Sequence, residues 1–170
     1  MLKMKITAIK KAMTYNKNIL DWKNIFETNC FAFAMGLDIQ EDEICEAAYG
    51  LGQIAAELEI FPNNYNYEER LDCDIKALGL SYETSDEKEF YSEKIKSSSG
   101  RYFDVLFFIE NDMFLPDFHF ARYGKDGKLY HKRGFAFPPE VTTIEKIEED
   151  GYKFVKRYRL FLSKGPKNRK

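Results

Sequence analysis

The segment Asp117–Gly134 reads DFHFARYGKDGKLYHKRG, two runs of aromatic and aliphatic residues on either side of Gly124-Lys125-Asp126-Gly127. Such runs around a glycine-bearing turn are the pattern of a β-hairpin. The same segment holds the only two histidines of the chain, His119 and His131. The turn decides whether they meet. If Asp126-Gly127 is a two-residue turn, Lys125 pairs with Lys128, His131 faces Arg122, and the imidazoles leave opposite faces of the sheet. If Lys125-Asp126-Gly127 is a three-residue loop with Gly127 left-handed, Gly124 pairs with Lys128 and His131 faces Ala121. The histidines are then diagonal neighbours on one face, about 7–8 Å apart at the backbone and within side-chain reach. Gly127 suits either turn, and the small Ala121 slightly favours the shared face.

Outward from the hairpin, Tyr102–Ile109 and Tyr152–Leu162 carry the same texture as Phe118–Tyr123 and Lys128–Lys132, and all four predict strands of an antiparallel sheet. The first half of the chain reads as helix instead. Thr28 and Asn29 offer capping side chains ahead of a stripe at Cys30, Phe33, Ala34 and Leu37. Glu41–Leu58 places Ile44, Ala47, Ala48, Leu51, Ala55 and Leu58 on one face, with Gly50 and Gly52 placed to break or bend it. Tyr67–Leu78 turns Leu71, Ile75 and Leu78 inward and ends at Gly79. Ser85–Gly100 reads as a short surface helix and a turn within the same domain. The expectation is an α+β fold, N-terminal helices packed on a C-terminal antiparallel sheet, in a single domain over residues 1–164 with a basic tail over 165–170.

Composition narrows the function. The 170 residues carry 26 Lys+Arg against 28 Asp+Glu, a formal charge of -2, which is not the footprint of a specific nucleic-acid binder. The apolar runs, such as Val105–Ile109, are far short of the roughly 20 residues that span a bilayer. Met1–Tyr15 has no apolar stretch of export-signal length, and three cysteines without a CxxC pair give no disulfide framework. A cytoplasmic protein with reduced thiols is expected. A zinc site from Cys45, Cys73, His119 and His131 has suitable ligand types but no pair at metal-site spacing. Cys45 and Cys73 read as small buried hydrophobes.

Cys30 is different, because it opens a helix behind two capping residues in a chain that also carries the histidine pair. A thiol at a helix N-terminus is biased towards thiolate, and a neighbouring imidazolium biases it further. Cys30 is the candidate nucleophile, His119 the base and acid, and His131 the group that orients His119. Asp117, two residues from His119 on the same strand face, is a competing orienter. Backbone N–H groups at the helix start, with Asn24, Asn29 or Gln53, are candidate oxyanion donors.

NCFAFAMGL around Cys30, DFHFARY around His119 and LYHKRG around His131 resemble the papain-like cysteine peptidase superfamily, most closely its NlpC-type branch and related uncharacterised proteins of bacteria and their phages. The resemblance covers most of the chain in its order of elements, with about thirty residues carrying motif information. It implies a papain-like (NlpC-type) fold and a Cys-His-His triad that cleaves an amide or peptide bond without metal or organic cofactor. Asn29 stands where cell-wall members usually have Asp, and the bulky Phe31 follows the cysteine where they have a small residue. The expected partner is a peptide or protein substrate, with no specific nucleic acid and no membrane; nothing fixes an oligomeric state. Two alternatives stand beside hydrolysis. One is a catalytically silent papain-like binding or inhibitor protein of phage or mobile-element origin, with which the bulky Phe31 and the cluster Phe114, Phe118 and Phe120 are compatible as a covered site or an adhesive interface. The other is acyl transfer by the same triad.

Overall fold

Gly127 has φ +75° and Gly124 N–H donates to Lys128 O at 2.8 Å, so the hairpin closes with the three-residue loop. Ala121 consequently pairs with His131, Arg122 with Tyr130 and Tyr123 with Leu129. The computed structural model describes residues 29–36, 50–62, 66–88, 102–110, 117–124, 126–134 and 137–161. Asn24, Cys45, the start of the Glu41–Leu58 pattern, most of Ser85–Gly100 and the tail 165–170 lie outside them.

In chain order the elements are helices α1 (Cys30–Met35), α2 (Gln53–Glu57) and α3 (Tyr67–Ala77), then strands β1 (Ser81–Ser85), β2 (Tyr102–Glu110), β3 (Phe118–Tyr123), β4 (Leu129–His131) and β5 (Glu140–Thr142), helix α4 (Ile144–Glu149) and strand β6 (Tyr152–Phe161). The strands form one open six-stranded sheet in the order β1-β6-β2-β3-β4-β5, and every pairing is antiparallel. The protein is α+β, as its sequence predicts. Among the described residues no helix is long and apolar enough to cross a membrane.

Alternation along the strands divides the interior in two. On one face Phe103, Val105, Phe107, Phe120, Tyr158 and Leu160 meet Phe31, Ala34 and Met35 of α1 with Ile54, Leu71 and Ile75 of α2 and α3. On the other, Leu106, Phe108, Ala121 and Leu129 meet Ile144 and Ile147 of α4. The predicted glycine break is real, for Gly52 takes φ +86° and α2 starts only after it. Its amide and that of Ala55 donate to the buried Asp74 carboxylate of α3, at 2.6 and 2.8 Å, so one helix caps another.

A β-bulge gives the second face its last members. The β2–β6 register shifts between Phe107 and Phe108, which pair with Lys156 and Phe154, so Val155 is the extra residue. Beyond it the parity of β6 inverts. Val155 packs with the helix-side cluster, while Phe154 and Tyr152 pack with the opposite one.

Candidate active site

β4 is short. Its last residue, His131, pairs with Ala121, and the earlier part of β3, Phe118–Phe120, continues without it. Since Gly124 and Arg122 direct their backbone groups towards β4, Phe120 N–H and Phe118 O point to the same edge. The thiol of Cys30 fills this position. It donates to Phe118 O at 3.9 Å and lies beside Phe120 N–H, so the sulfur touches backbone on both sides of His119. Asn29 caps α1 by accepting from Ala32 N–H at 2.8 Å, while Phe31 and Phe33 bury completely and anchor the helix.

The imidazole of His119 leaves β3 towards the other face. Its Nε2 lies 2.9 Å from His131 Nδ1, and His131 Nε2 lies 3.1 Å from Glu140 Oε1 on β5. The same carboxylate oxygen accepts from Arg133 Nε at 2.7 Å. Phe108 and Tyr152 flank the His119 ring at centroid distances of 6.4 and 5.0 Å, and Tyr152 O–H donates to Asp117 at 3.1 Å. Both histidines are buried, at 6% and 2% exposure. A chain of polar groups therefore runs from the core to the surface through His119, His131, Glu140 and Arg133.

Burial dominates the ionisation of this chain. It pushes His119 down to about 4, helped by the neighbouring His131, and lowers His131 against the pull of Glu140. Burial opposes ionisation of Glu140 as well, but the bonds from His131 and Arg133 hold it below the usual carboxylate range. Both imidazoles are thus neutral and Glu140 is ionised near pH 7. The tautomers follow. An ionised carboxylate can only accept, so His131 carries its proton on Nε2 and accepts at Nδ1. His119 then carries its proton on Nε2, and its Nδ1 is a free lone pair. Glu140 fixes the inner end of the chain as a base.

The thiol departs from expectation. Burial pushes Cys30 up to about 12, with the Phe120 N–H pulling it down and Asp117 pushing it further up. The predicted bias towards thiolate is absent because α1 has only six residues and desolvation of the sulfur outweighs its first turn. Among the described residues no hydrogen bond joins the sulfur to His119; the two side chains meet through the strand that carries one and edges the other.

The structure brings His119 and His131 together and puts Cys30 against the strand between them and α1. Asp117 is exposed and engages Phe118 N–H and Tyr152 rather than His119. Gln53 is exposed and accepts from Gly50 N–H at 2.8 Å, and Asn29 is occupied as a helix cap, so neither amide is directed at the sulfur. Cys73 is buried on α3. Among the described residues no group of three or more His, Cys, Asp or Glu is gathered as metal ligands. The sequence reading missed Glu140, Arg133, Lys132 and Tyr152. The β-branched run Val141-Thr142-Thr143 after Pro138-Pro139 is the signal that could have placed a strand beside His131. The chain matches no family model and no curated protein.

Proposed function

We propose that this protein is a cysteine-dependent hydrolase of amide or peptide bonds with a papain-like arrangement of its site. Cys30 serves as nucleophile, His119 as base and acid, His131 as its orienting partner, and Glu140 as the carboxylate that fixes both tautomers. The observation that carries the reading is the buried relay from His119 through His131 to Glu140, which starts on the strand against which the Cys30 thiol is packed. Thiol and imidazole rest neutral, so the nucleophile is made during the reaction rather than stored as an ion pair. In this reading the His119 ring turns about the free edge of β3 to reach the thiol, and its Nδ1 takes the thiol proton as the sulfur forms its bond to the carbonyl carbon. The imidazolium gives that proton to the departing nitrogen as the C–N bond breaks. Water, losing a proton to His119, then attacks the thioester, and the sulfur leaves as the thiol on regaining that proton.

A second reading is favoured by one observation, the hydrogen bond of the thiol to Phe118 O together with its raised pKa. In that reading the same shell binds a partner without turnover. An amine in place of water would make the protein an acyltransferase.

A thiol-directed acylating probe and a set of peptide and muropeptide substrates test the proposal on wild type, Cys30→Ala, His119→Ala and Glu140→Gln. Probe labelling and turnover should vanish in Cys30→Ala and fall about 100-fold in His119→Ala, the scale of general acid–base catalysis. Glu140→Gln should fall about tenfold. A folded His119→Ala that labels as fast as wild type would sink the hydrolase and leave the binding shell.

A further inference from the structure

Where β4 ends, the residue after His131 turns inward. Lys132 has no exposed surface, and its ammonium donates to Gly134 O at 2.5 Å. Continuing the β3–β4 register by one residue would set position 132 opposite Phe120, whose N–H adjoins the Cys30 sulfur. The sulfur thus lies in the space that β4 vacates, next to the point where Lys132 leaves the strand register. We propose that Lys132 is a positioning residue for the thiol chemistry, the buried cation that holds negative charge on the Cys30 sulfur when His119 takes its proton. This rests on the hydrolase reading and adds to it the counter-charge that the histidine chain cannot supply from the opposite face.

The physical case is one of compensation. An ammonium removed from water needs a charge or several dipoles around it. The Gly134 carbonyl is one of the groups around this ammonium, and the sulfur becomes a full counter-charge once ionised. Burial lowers the pKa of Lys132, and Cys30 is the ionisable group that raises it again. The other ionisable groups acting on or from the sulfur are Asp117, which opposes its ionisation, and Tyr152 across the strand. The charge of Lys132 is of the sign that opposes them.

Alkylation of Cys30, followed on its own peptide by mass spectrometry so that Cys45 and Cys73 do not contribute, tests this at pH 8 with neutral iodoacetamide and anionic iodoacetate. Lys132→Met should slow iodoacetamide about tenfold, the thiolate lost with one pKa unit, and lower the iodoacetate-to-iodoacetamide ratio about threefold besides. Lys132→Arg should stay within about twofold of wild type in both, since it keeps the charge. Unchanged rates in a folded Lys132→Met overturn the inference, as do equal losses in both variants, which would mark packing alone. If Lys132→Met does not fold, wild type decides. Its reagent ratio in the native state should exceed that of the urea-unfolded chain about threefold, and a ratio at or below the unfolded value overturns the inference. His119→Ala separates the two claims. Should it label with the acylating probe as fast as wild type and no variant turn over substrate, the hydrolase reading falls while the effect of Lys132 on the reagent ratio stands or falls by itself.

Discussion

The two sides of β3 treat their reactive groups in opposite ways. On the α4 side, His119 belongs to a graded series of partners that ends on a half-exposed carboxylate and a surface arginine. On the helix side, Cys30 has one weak side-chain bond to a carbonyl among aromatic rings, with the buried Lys132 acting on it. His119 is buried and Cys30 partly so, and both are neutral, yet only the first has a chain of polar partners by which charge can be passed outward. The difference shows that burial does not itself silence a titratable group; what matters is whether its neighbours can answer a change of charge.

The helix side breaks most readily. Phe120 is fully buried between Phe31 and Phe107, at centroid distances of 5.3 and 5.0 Å, and forms the wall behind the thiol. Phe120→Ala should cost about 3–5 kcal/mol in urea unfolding. It should also free the Cys30 peptide for alkylation while the histidine side keeps its imidazole contact by NMR. Loss of both at once would show that the two faces do not act separately.

A pH series sharpens the other side. The folded pKa of His119 is depressed from the ordinary 6.5 to about 4, so the neutral ring is what the fold accommodates. Its contribution is present above pH 6.5 and is lost as pH falls towards 4, a change on the order of 3 kcal/mol. Urea midpoints between pH 7.5 and 4 should drop more steeply for wild type than for His119→Gln. Parallel curves would mean that the ring is hydrated in the folded protein.

The smallest effect lies at the turn that brings the histidines together. A Cβ on Gly127 meets nothing within 4 Å, so Gly127→Ala strains only the backbone at φ +75° and should cost about 1 kcal/mol. Gly127→Asn should recover most of it. A loss of several kcal/mol would instead mean that the hairpin had changed register and separated the rings.

Much of this was readable in advance, for physical reasons that differ by element. The turn at Gly127 left two registers for the hairpin, of which the small Ala121 slightly favoured the observed one, and the helical segments at Cys30–Ala34 and Leu71–Leu78 follow from helical periodicity. β1 was not foreseen because SYETS is a polar edge strand held mainly through β6, with no alternation to betray it. β5 and α4 are too short for a periodic signal, although Thr143 supplies the cap that starts α4. Glu140 was lost with β5. The relation of Cys30 to β3 joins residues 88 apart through the early end of β4, and no local pattern records where a strand stops pairing.

Val155 carries a last consequence. Because this single supernumerary residue inverts which layer the remainder of β6 addresses, the strand behaves like two half-strands in opposite phase, one feeding the helices and one feeding the imidazoles. Length changes on the N-terminal side of Val155 therefore count by parity. An odd number of residues gained or lost within the paired strand exchanges the allegiance of Tyr152 and Phe154, and an even number preserves it, whatever the chemistry of the residues involved.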